Sequence, residues 1–164
     1  MMMPYGPCGM TPQAVAYIQG SDRYPDIEGT VYFYDVPRGA YVCVQVGGLP
    51  PESPAGVTPV VGPFFAFHLH GGNVCTPKGG ESPFSGAEGH YNPTDQPHPR
   101  HAGDFPVLLS SGGYAQMCFY TDRFKPWDIM GRTVIIHLLP DDYRSQPSGA
   151  AGERIACGQV QPLM

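Results

Sequence analysis

Histidine is the side chain whose number and spacing in this sequence could do chemistry. His68 and His70 lie two positions apart in a β-like segment, so both imidazoles leave the same face of a strand. Asp104 follows His101 by three residues, inside a long polar stretch that holds or borders four of the histidines. A lone histidine usually hydrogen-bonds to a carbonyl and does nothing more. Taken together, these residues predict a metal site. The six histidines are His68, His70, His90, His98, His101 and His137.

The ligand types narrow the choice of metal. Imidazole suits zinc, copper, iron and nickel, and three imidazoles with one carboxylate suit a tetrahedral zinc site. Six histidines and one aspartate are one ligand short of two four-coordinate sites. An imidazole that binds one ion through each ring nitrogen would supply the missing bond. His90 lies between the strand pair and the loop cluster along the chain, so we expect it to be the shared ligand.

The elements that must position these residues are short strands. Apolar side chains fall on alternate positions in several segments, which places each set on one face of a strand. No segment of helical length shows a 3.6-residue apolar stripe. The sequence therefore predicts an all-β sandwich or barrel. The predicted strands are residues 30–36, 40–47, 62–70, 115–120 and 132–139.

Composition indicates one folded domain with long loops. The 22 glycines and 20 prolines are offset by 41% hydrophobic and 12% aromatic residues, which a disordered chain would lack. Residues 71–106 and 140–153 are long Gly/Pro-rich loops, and loops of that length are usually functional. We expect residues 13–164 to form the domain and residues 1–12 a flexible Met/Pro-rich tail. A second interpretation of the tail is capture of Cu(I) by its soft sulfur ligands.

The charge pattern excludes some partners. A net charge of −5 without a basic cluster is not the pattern of a nucleic-acid-binding protein. No apolar run approaches the ~20 residues that span a bilayer, so we expect no membrane partner. The first residues contain neither the basic region nor the apolar stretch of a signal peptide. We expect a cytoplasmic protein if the chain is complete, and a secreted or periplasmic one if a leader has been removed.

Seven motifs in order carry a resemblance to a known family. They are Phe67-His68-Leu69-His70, Gly89-His90-Tyr91-Asn92-Pro93, His98, His101-Ala102-Gly103-Asp104, Gly131-Arg132-Thr133-Val134-Ile135-Ile136-His137, Asp141-Asp142 and Gly152-Glu153-Arg154-Ile155-Ala156-Cys157-Gly158. Across residues 13–160 the chain resembles the copper,zinc superoxide dismutases, in their divergent bacterial branch. The resemblance implies an eight-stranded Greek-key β-barrel with two long functional loops.

The resemblance also implies the metal ligands. The implied copper ligands are His68, His70, His90 and His137. The implied zinc ligands are His90, His98, His101 and Asp104, so that His90 would bridge the two ions.

Further roles are implied outside the ligand set. Asp141 matches a carboxylate that joins a copper histidine, here His68, to a zinc histidine, here His98. Arg154 matches the arginine that guides the anionic substrate, and its alternative role is a salt bridge to Glu153 or Asp141. Cys75 and Cys157 match the family's disulfide, which leaves three cysteines to be expected as free thiols. Those three are Cys8, Cys43 and Cys118.

The implied activity is dismutation of superoxide, with copper as the redox ion and His90 and Arg154 as catalytic residues. On reduction, His90 would leave copper and take a proton on the freed nitrogen. The leading alternative is a domain on the same fold that stores metal or holds it structurally without turnover. A third candidate is a ligand-binding β-sandwich that binds only zinc. A hydrolase is disfavoured because catalytic zinc keeps an open position, whereas this zinc set already has four ligands. The expected substrate partner is superoxide; a homodimer is one candidate assembly, and the sequence leaves the oligomeric state open.

Overall fold

Nine short strands make up most of the regular structure among the described residues. The computed structural model describes residues 9–76 and 82–163, so residues 1–8 of the predicted tail lie outside it. None of the helices in that part of the chain is long and apolar enough to cross a membrane. The all-β prediction is confirmed. The strands are β1 (Ala14–Gly20), β2 (Glu28–Val36), β3 (Gly39–Gly47), β4 (Phe64–Phe65), β5 (Phe67–His70), β6 (Leu108–Leu109), β7 (Ala115–Thr121), β8 (Thr133–His137) and β9 (Arg154–Pro162).

The strands form one large curled antiparallel sheet and one small sheet. The order in the large sheet is β5-β8-β9-β1-β2-β3-β7, and β4 pairs with β6 in the small sheet. Every neighbouring pair is antiparallel. The first and last strands are neighbours in this order, and β9 in turn pairs with β8. The strands that carry His68, His70 and His137 are therefore adjacent at one edge of the large sheet.

The alternating apolar residues form the core, as predicted. Val31 and Phe33 of β2 are fully buried, and so are Val42, Val44 and Val46 of β3. β2 and β3 pair in continuous register from Glu28–Gly47 to Val36–Gly39. Full burial of a side chain of this size contributes about 1.5–3 kcal/mol. The packed sheet gives the histidine-bearing strands a rigid support.

The predicted strand at residues 62–70 is divided at Ala66, which is why the structure has nine strands where eight are predicted. The first part, β4, pairs with β6, whereas the second part, β5, pairs with β8. Between them, the N–H of Ala66 donates to Leu139 O at 2.9 Å, and the N–H of His137 donates to Ala66 O at 2.9 Å. The chain changes sheets at Ala66 and fixes the end of β8 as it does so.

Two disulfides join distant parts of the chain. Cys75 and Cys157 are bonded as predicted, which ties the first long loop to β9. Cys43 of β3 and Cys118 of β7 form a second bond, called here the cross-strand disulfide. The prediction that Cys43 and Cys118 are free thiols is wrong, because these residues face each other directly in antiparallel register with Cα atoms 4.1 Å apart. Cys8 lies outside the described residues.

Candidate metal centre

Two adjacent strands carry three of the histidines. His68 and His70 leave the same face of β5, as predicted, and their ring centroids lie 6.2 Å apart. Leu69 between them is buried in the hydrophobic core. His137 is the last residue of β8, and its ring centroid lies 5.0 Å from that of His68. Strand alternation and strand pairing together therefore place three imidazoles side by side.

The first long loop brings His90 back to the edge of β5. The N–H of Tyr91 donates to Leu69 O at 2.8 Å, and His90 stands opposite His70 in an antiparallel bridge. The ring centroids of His70 and His90 are 4.9 Å apart. A backbone contact therefore sets the distance between a strand histidine and a loop histidine.

The same loop contacts β5 a second time at Gly103. The N–H of Leu69 donates to Gly103 O at 2.9 Å. A Cβ atom on Gly103 would lie 2.0 Å from Leu69 O, so this close approach of two backbones has no room for a side chain. The next residue, Asp104, is consequently bridged to His68.

Four histidines bring their ring nitrogens together in what we call the first cluster. One ligand atom from each lies within 4.8 Å of all the others. The buried Nδ1 of His68 and the buried Nε2 of each of the other three have no hydrogen-bond partner. Buried polar atoms in proteins are nearly always paired, and imidazole nitrogen is a good copper ligand. The cluster fits a copper ion, and its members are His68, His70, His90 and His137.

The opposite nitrogens of two of these rings are held by backbone carbonyls. His70 Nδ1–H donates to Glu88 O at 2.8 Å, and His137 Nδ1–H donates to Gly152 O at 3.2 Å. A carbonyl only accepts, so the proton of each neutral ring lies on Nδ1 and Nε2 is left bare. Hydrogen bonds of this kind fix the tautomer and ring orientation that a metal ligand needs.

Burial keeps the strand histidines neutral. It lowers the pKa of His70 and His137 well below the usual value, and neighbouring histidines lower it further. Burial also lowers the pKa of His68, although its hydrogen bond to Asp141 acts in the opposite direction. Imidazole binds metal through an unprotonated nitrogen, so these rings are ready to act as ligands.

A second cluster surrounds Asp104. Its carboxylate oxygens lie 2.7 Å from His90 Nδ1, 3.0 Å from His98 Nδ1 and 3.3 Å from His101 Nδ1. Burial alone would raise the pKa of Asp104, but the hydrogen bond from His90 and the nearby histidines lower it instead. Three imidazole nitrogens and a carboxylate make up a tetrahedral zinc site. The second cluster fits zinc.

His90 belongs to both clusters. Its Nε2 is one of the unpartnered nitrogens of the first cluster, and its Nδ1 contacts Asp104 in the second. The structure thus gives His90 the position expected of a shared ligand.

Asp141 joins the two clusters behind the metal-facing atoms. Its Oδ2 lies 2.7 Å from His68 Nε2, and its Oδ1 lies 2.8 Å from His98 Nε2 and accepts the N–H of Tyr143 at 2.7 Å. Burial raises the pKa of Asp141, but these hydrogen bonds outweigh it and lower the pKa to about 2. Gly149 has φ +74°, and a Cβ atom there would lie 1.9 Å from Asp141 Oδ1. The second long loop therefore needs glycine at this position.

Arg154 stands beside the first cluster, held by backbone carbonyls. Its guanidinium donates to Phe84 O at 2.8 Å and to Glu88 O at 2.5 Å. The alternative role, a salt bridge to Glu153 or Asp141, is not present in the structure. Burial lowers the pKa of Arg154 without a compensating carboxylate partner among the described residues.

Arg123 supports the second cluster from outside and is not among the site residues predicted from the sequence. Its Nη1 donates to His101 O at 2.7 Å and to Pro99 O at 3.3 Å. Arg123 is exposed and 22 residues from His101 along the chain, in a stretch without a strand pattern. No feature of the sequence signals this contact.

Comparison with known proteins agrees with the geometry. The family described as "Copper/zinc superoxide dismutase (SODC)" matches residues 27–160. The chain belongs to the copper/zinc superoxide dismutase family. The Cu-Zn superoxide dismutase of Deinococcus radiodurans is 32% identical over 159 residues, covering 87% of this chain and 81% of that one. The enzyme of Legionella pneumophila is 34% identical over 141 residues, covering 81% and 77%.

The fold of this chain is also similar to that of a solved structure of the same family. The solved structure of the Cu/Zn superoxide dismutase from Brucella abortus aligns with a TM-score of 0.71 at 26% identity, covering 90% of this chain and 99% of that one. This chain is accordingly an oxidoreductase that dismutes superoxide with copper and zinc. Dismutation is supported over metal storage or a purely structural role.

Proposed function

We propose that the first cluster binds copper, that the second binds zinc, and that His90 is the ligand they share. One observation carries this assignment: His90 presents an unpartnered, buried Nε2 to three other histidines while its Nδ1 contacts Asp104. The proposed copper ligands are His68, His70, His90 and His137, and the proposed zinc ligands are His90, His98, His101 and Asp104.

The reaction converts two superoxide ions and two protons into O₂ and H₂O₂. Copper, when bound, supplies the one-electron chemistry, and zinc, which has no redox chemistry, holds and polarises the shared ring. His90 Nε2 is the atom on which the chain can carry a proton between the two half-reactions. His90 Nδ1 stays in the second cluster, so the ring keeps its position whether or not Nε2 is protonated.

Arg154 is proposed to bind the anionic substrate. Its planar, permanently charged guanidinium suits a small anion, and it shares the carbonyl of Glu88 with His70. One half-buried cation on a protein of net charge −5 concentrates the attraction for superoxide at the first cluster. Arg154→Glu should slow dismutation and reduce its dependence on ionic strength. An unchanged rate with an unchanged salt dependence would contradict this role.

Metal analysis of reconstituted protein tests the ligand assignment. We expect one copper and one zinc per wild-type chain. His137→Ala should lose copper and keep zinc, because His137 belongs only to the first cluster. His101→Ala should lose zinc and keep more copper than His137→Ala. Loss of zinc from His137→Ala, or as little copper in His101→Ala as in His137→Ala, would refute the assignment.

The two disulfides support an oxidising compartment for this protein, because reducing compartments keep most cysteines as thiols. Trapping of thiols in intact cells tests this: unmodified Cys43 and Cys118 are expected, and their complete alkylation would contradict it. The candidate homodimer stays a prediction, which sedimentation equilibrium checks.

A further inference from the structure

Arg132 lies outside both clusters, yet it contacts the chain directly after two of the proposed copper ligands. We propose that Arg132 is a positioning residue whose guanidinium fixes the spacing of His70 and His90, and with it the copper geometry. This inference rests on the proposed roles of His70 and His90 as copper ligands. Arg132 is not itself a proposed ligand: it contacts a backbone carbonyl and an aromatic ring next to the ligands.

The first contact is to the segment that carries His70. Arg132 Nη1 donates to the carbonyl oxygen of Gly71, the residue after His70, at 2.6 Å. A hydrogen bond with a charged donor is roughly twice as strong as one between neutral groups. Arg132 is half-buried, so water competes less for this carbonyl than it would at the surface.

The second contact is to the segment that carries His90. The guanidinium carbon of Arg132 lies 5.3 Å from the ring centroid of Tyr91, the residue after His90. A flat guanidinium at this distance from an aromatic face forms a cation–π interaction. Tyr91 also donates its N–H to Leu69 O at 2.8 Å, so the ring is tied to β5 through its own backbone.

The backbone of Arg132 is fixed to the large sheet. The N–H of Val160 donates to Arg132 O at 2.8 Å, and the N–H of Gly131 donates to Val160 O at 2.9 Å. Within residues 9–76 and 82–163 the guanidinium makes no ion pair with a carboxylate. The contacts of its positive charge described above are those with Gly71 and Tyr91, in the two segments that carry His70 and His90.

Removal of this guanidinium should release one segment relative to the other. His70 belongs to a strand, whereas the His90 segment meets that strand in a short bridge of two backbone hydrogen bonds, Tyr91 N–H to Leu69 O and Gly71 N–H to Gly89 O. Loss of the Gly71 and Tyr91 contacts lets the His90 segment shift, and a copper ion then meets a different arrangement of nitrogens. The effect should appear in the copper spectrum as well as in the affinity.

The experiment uses the full, zinc-loaded chain and copper as the probe. Four variants are compared by Cu(II) EPR and by copper affinity against a competing chelator: Arg132→Gln, Arg132→Lys, Arg38→Gln and His70→Ala. Arg38→Gln is the matched control, because it removes the same charge from an exposed arginine whose side chain has no hydrogen bond or ion pair in the described chain. Circular dichroism and the state of both disulfides report whether each variant has folded.

We expect Arg132→Gln to change the EPR parameters and weaken copper binding up to about tenfold. About tenfold is the lower end of the loss that follows removal of a group bonded directly to a metal ligand, and Arg132 acts one residue further away. Arg132→Lys keeps the charge but loses the flat stacking surface, so it should recover affinity in part and still show an altered spectrum. Arg38→Gln should match the wild type. A wild-type EPR spectrum and copper affinity in Arg132→Lys would overturn the proposal, whether or not Arg132→Gln folds. A folded Arg132→Gln with the same spectrum and affinity as Arg38→Gln would also overturn it. If His70→Ala itself binds copper normally, the proposed copper site is wrong, which is a different failure.

Discussion

Replacement of Asp141 by asparagine should damage the two metal sites unequally. Asp141 Oδ1 accepts two N–H groups, those of His98 Nε2 and the Tyr143 backbone, whereas Oδ2 accepts His68 Nε2–H. The side-chain oxygen of asparagine will therefore take the Oδ1 position, where it keeps both donors. Its NH₂ group then faces His68 Nε2–H, donor against donor. The affected ring is His68, a proposed copper ligand.

The size of the effect follows from burial. The side chain of Asp141 and the rings of His68 and His98 are 0% exposed, so no water can replace the lost partner. A hydrogen bond to a charged group contributes about 1.5–3 kcal/mol. A loss of about 2–3 kcal/mol corresponds to roughly 30–150-fold weaker copper binding. Zinc binding should fall less, because the asparagine oxygen still accepts the His98 proton.

Copper and zinc affinities measured separately by chelator competition test this reasoning. Asp142→Asn is the matched control, because Asp142 holds turns of the same loop through Arg144 and Ser145 without contacting a histidine. Asp141→Ala should weaken both metals, since both histidines lose their acceptor. Two results would refute this reasoning. One is an Asp141→Asn variant in which zinc affinity falls as much as copper affinity. The other is an Asp142→Asn variant that loses as much metal affinity as Asp141→Asn.

Three further predictions concern the loops and the cysteines. Gly103→Ala would place a Cβ atom 2.0 Å from Leu69 O and should therefore break the hydrogen bond from Leu69 N–H to Gly103 O. Zinc content and stability should both fall, as measured by metal analysis and thermal unfolding; wild-type values would contradict the steric argument. The side-chain amide of Gln146 accepts the N–H of His98 and donates to the C=O of His98. Gln146→Glu should weaken zinc binding up to about tenfold, because a carboxylate cannot donate to that carbonyl. Unchanged zinc affinity would contradict this. Alkylation without reductant should modify one of the five cysteines, as judged by intact mass, whereas three modified cysteines would mean that the cross-strand disulfide is absent.

The strand pattern of this fold is strongly encoded in its sequence. Alternation in residues 30–36 and 40–47 predicts β2 and β3 to within two residues at each end, because one face of each strand is packed in the core. The spacing of His68 and His70 predicts that their rings share a face. Local pattern decides these features, so they can be derived from the chain alone.

Other features depend on which segments become neighbours. Alternation places Cys43 and Cys118 in strands, but it does not predict that β3 pairs with β7 or in what register. It therefore does not predict the cross-strand disulfide. The break at Ala66 has the same origin, because it depends on a hydrogen bond to Leu139 O across the fold. Contacts from Arg123 and Arg132 to backbone carbonyls are equally hidden, since a carbonyl has no sequence signature.

We propose that the first cluster holds the copper ion with which the chain dismutes superoxide. Fast kinetics of superoxide decay on copper- and zinc-reconstituted protein, beside His137→Ala prepared in the same way, tests it most directly. We expect a second-order rate near the diffusion ceiling of about 10⁸–10⁹ M⁻¹s⁻¹ for the wild type and loss of that rate in the variant. A fully metal-loaded wild type no faster than free copper, or a variant as fast as the wild type, would contradict it.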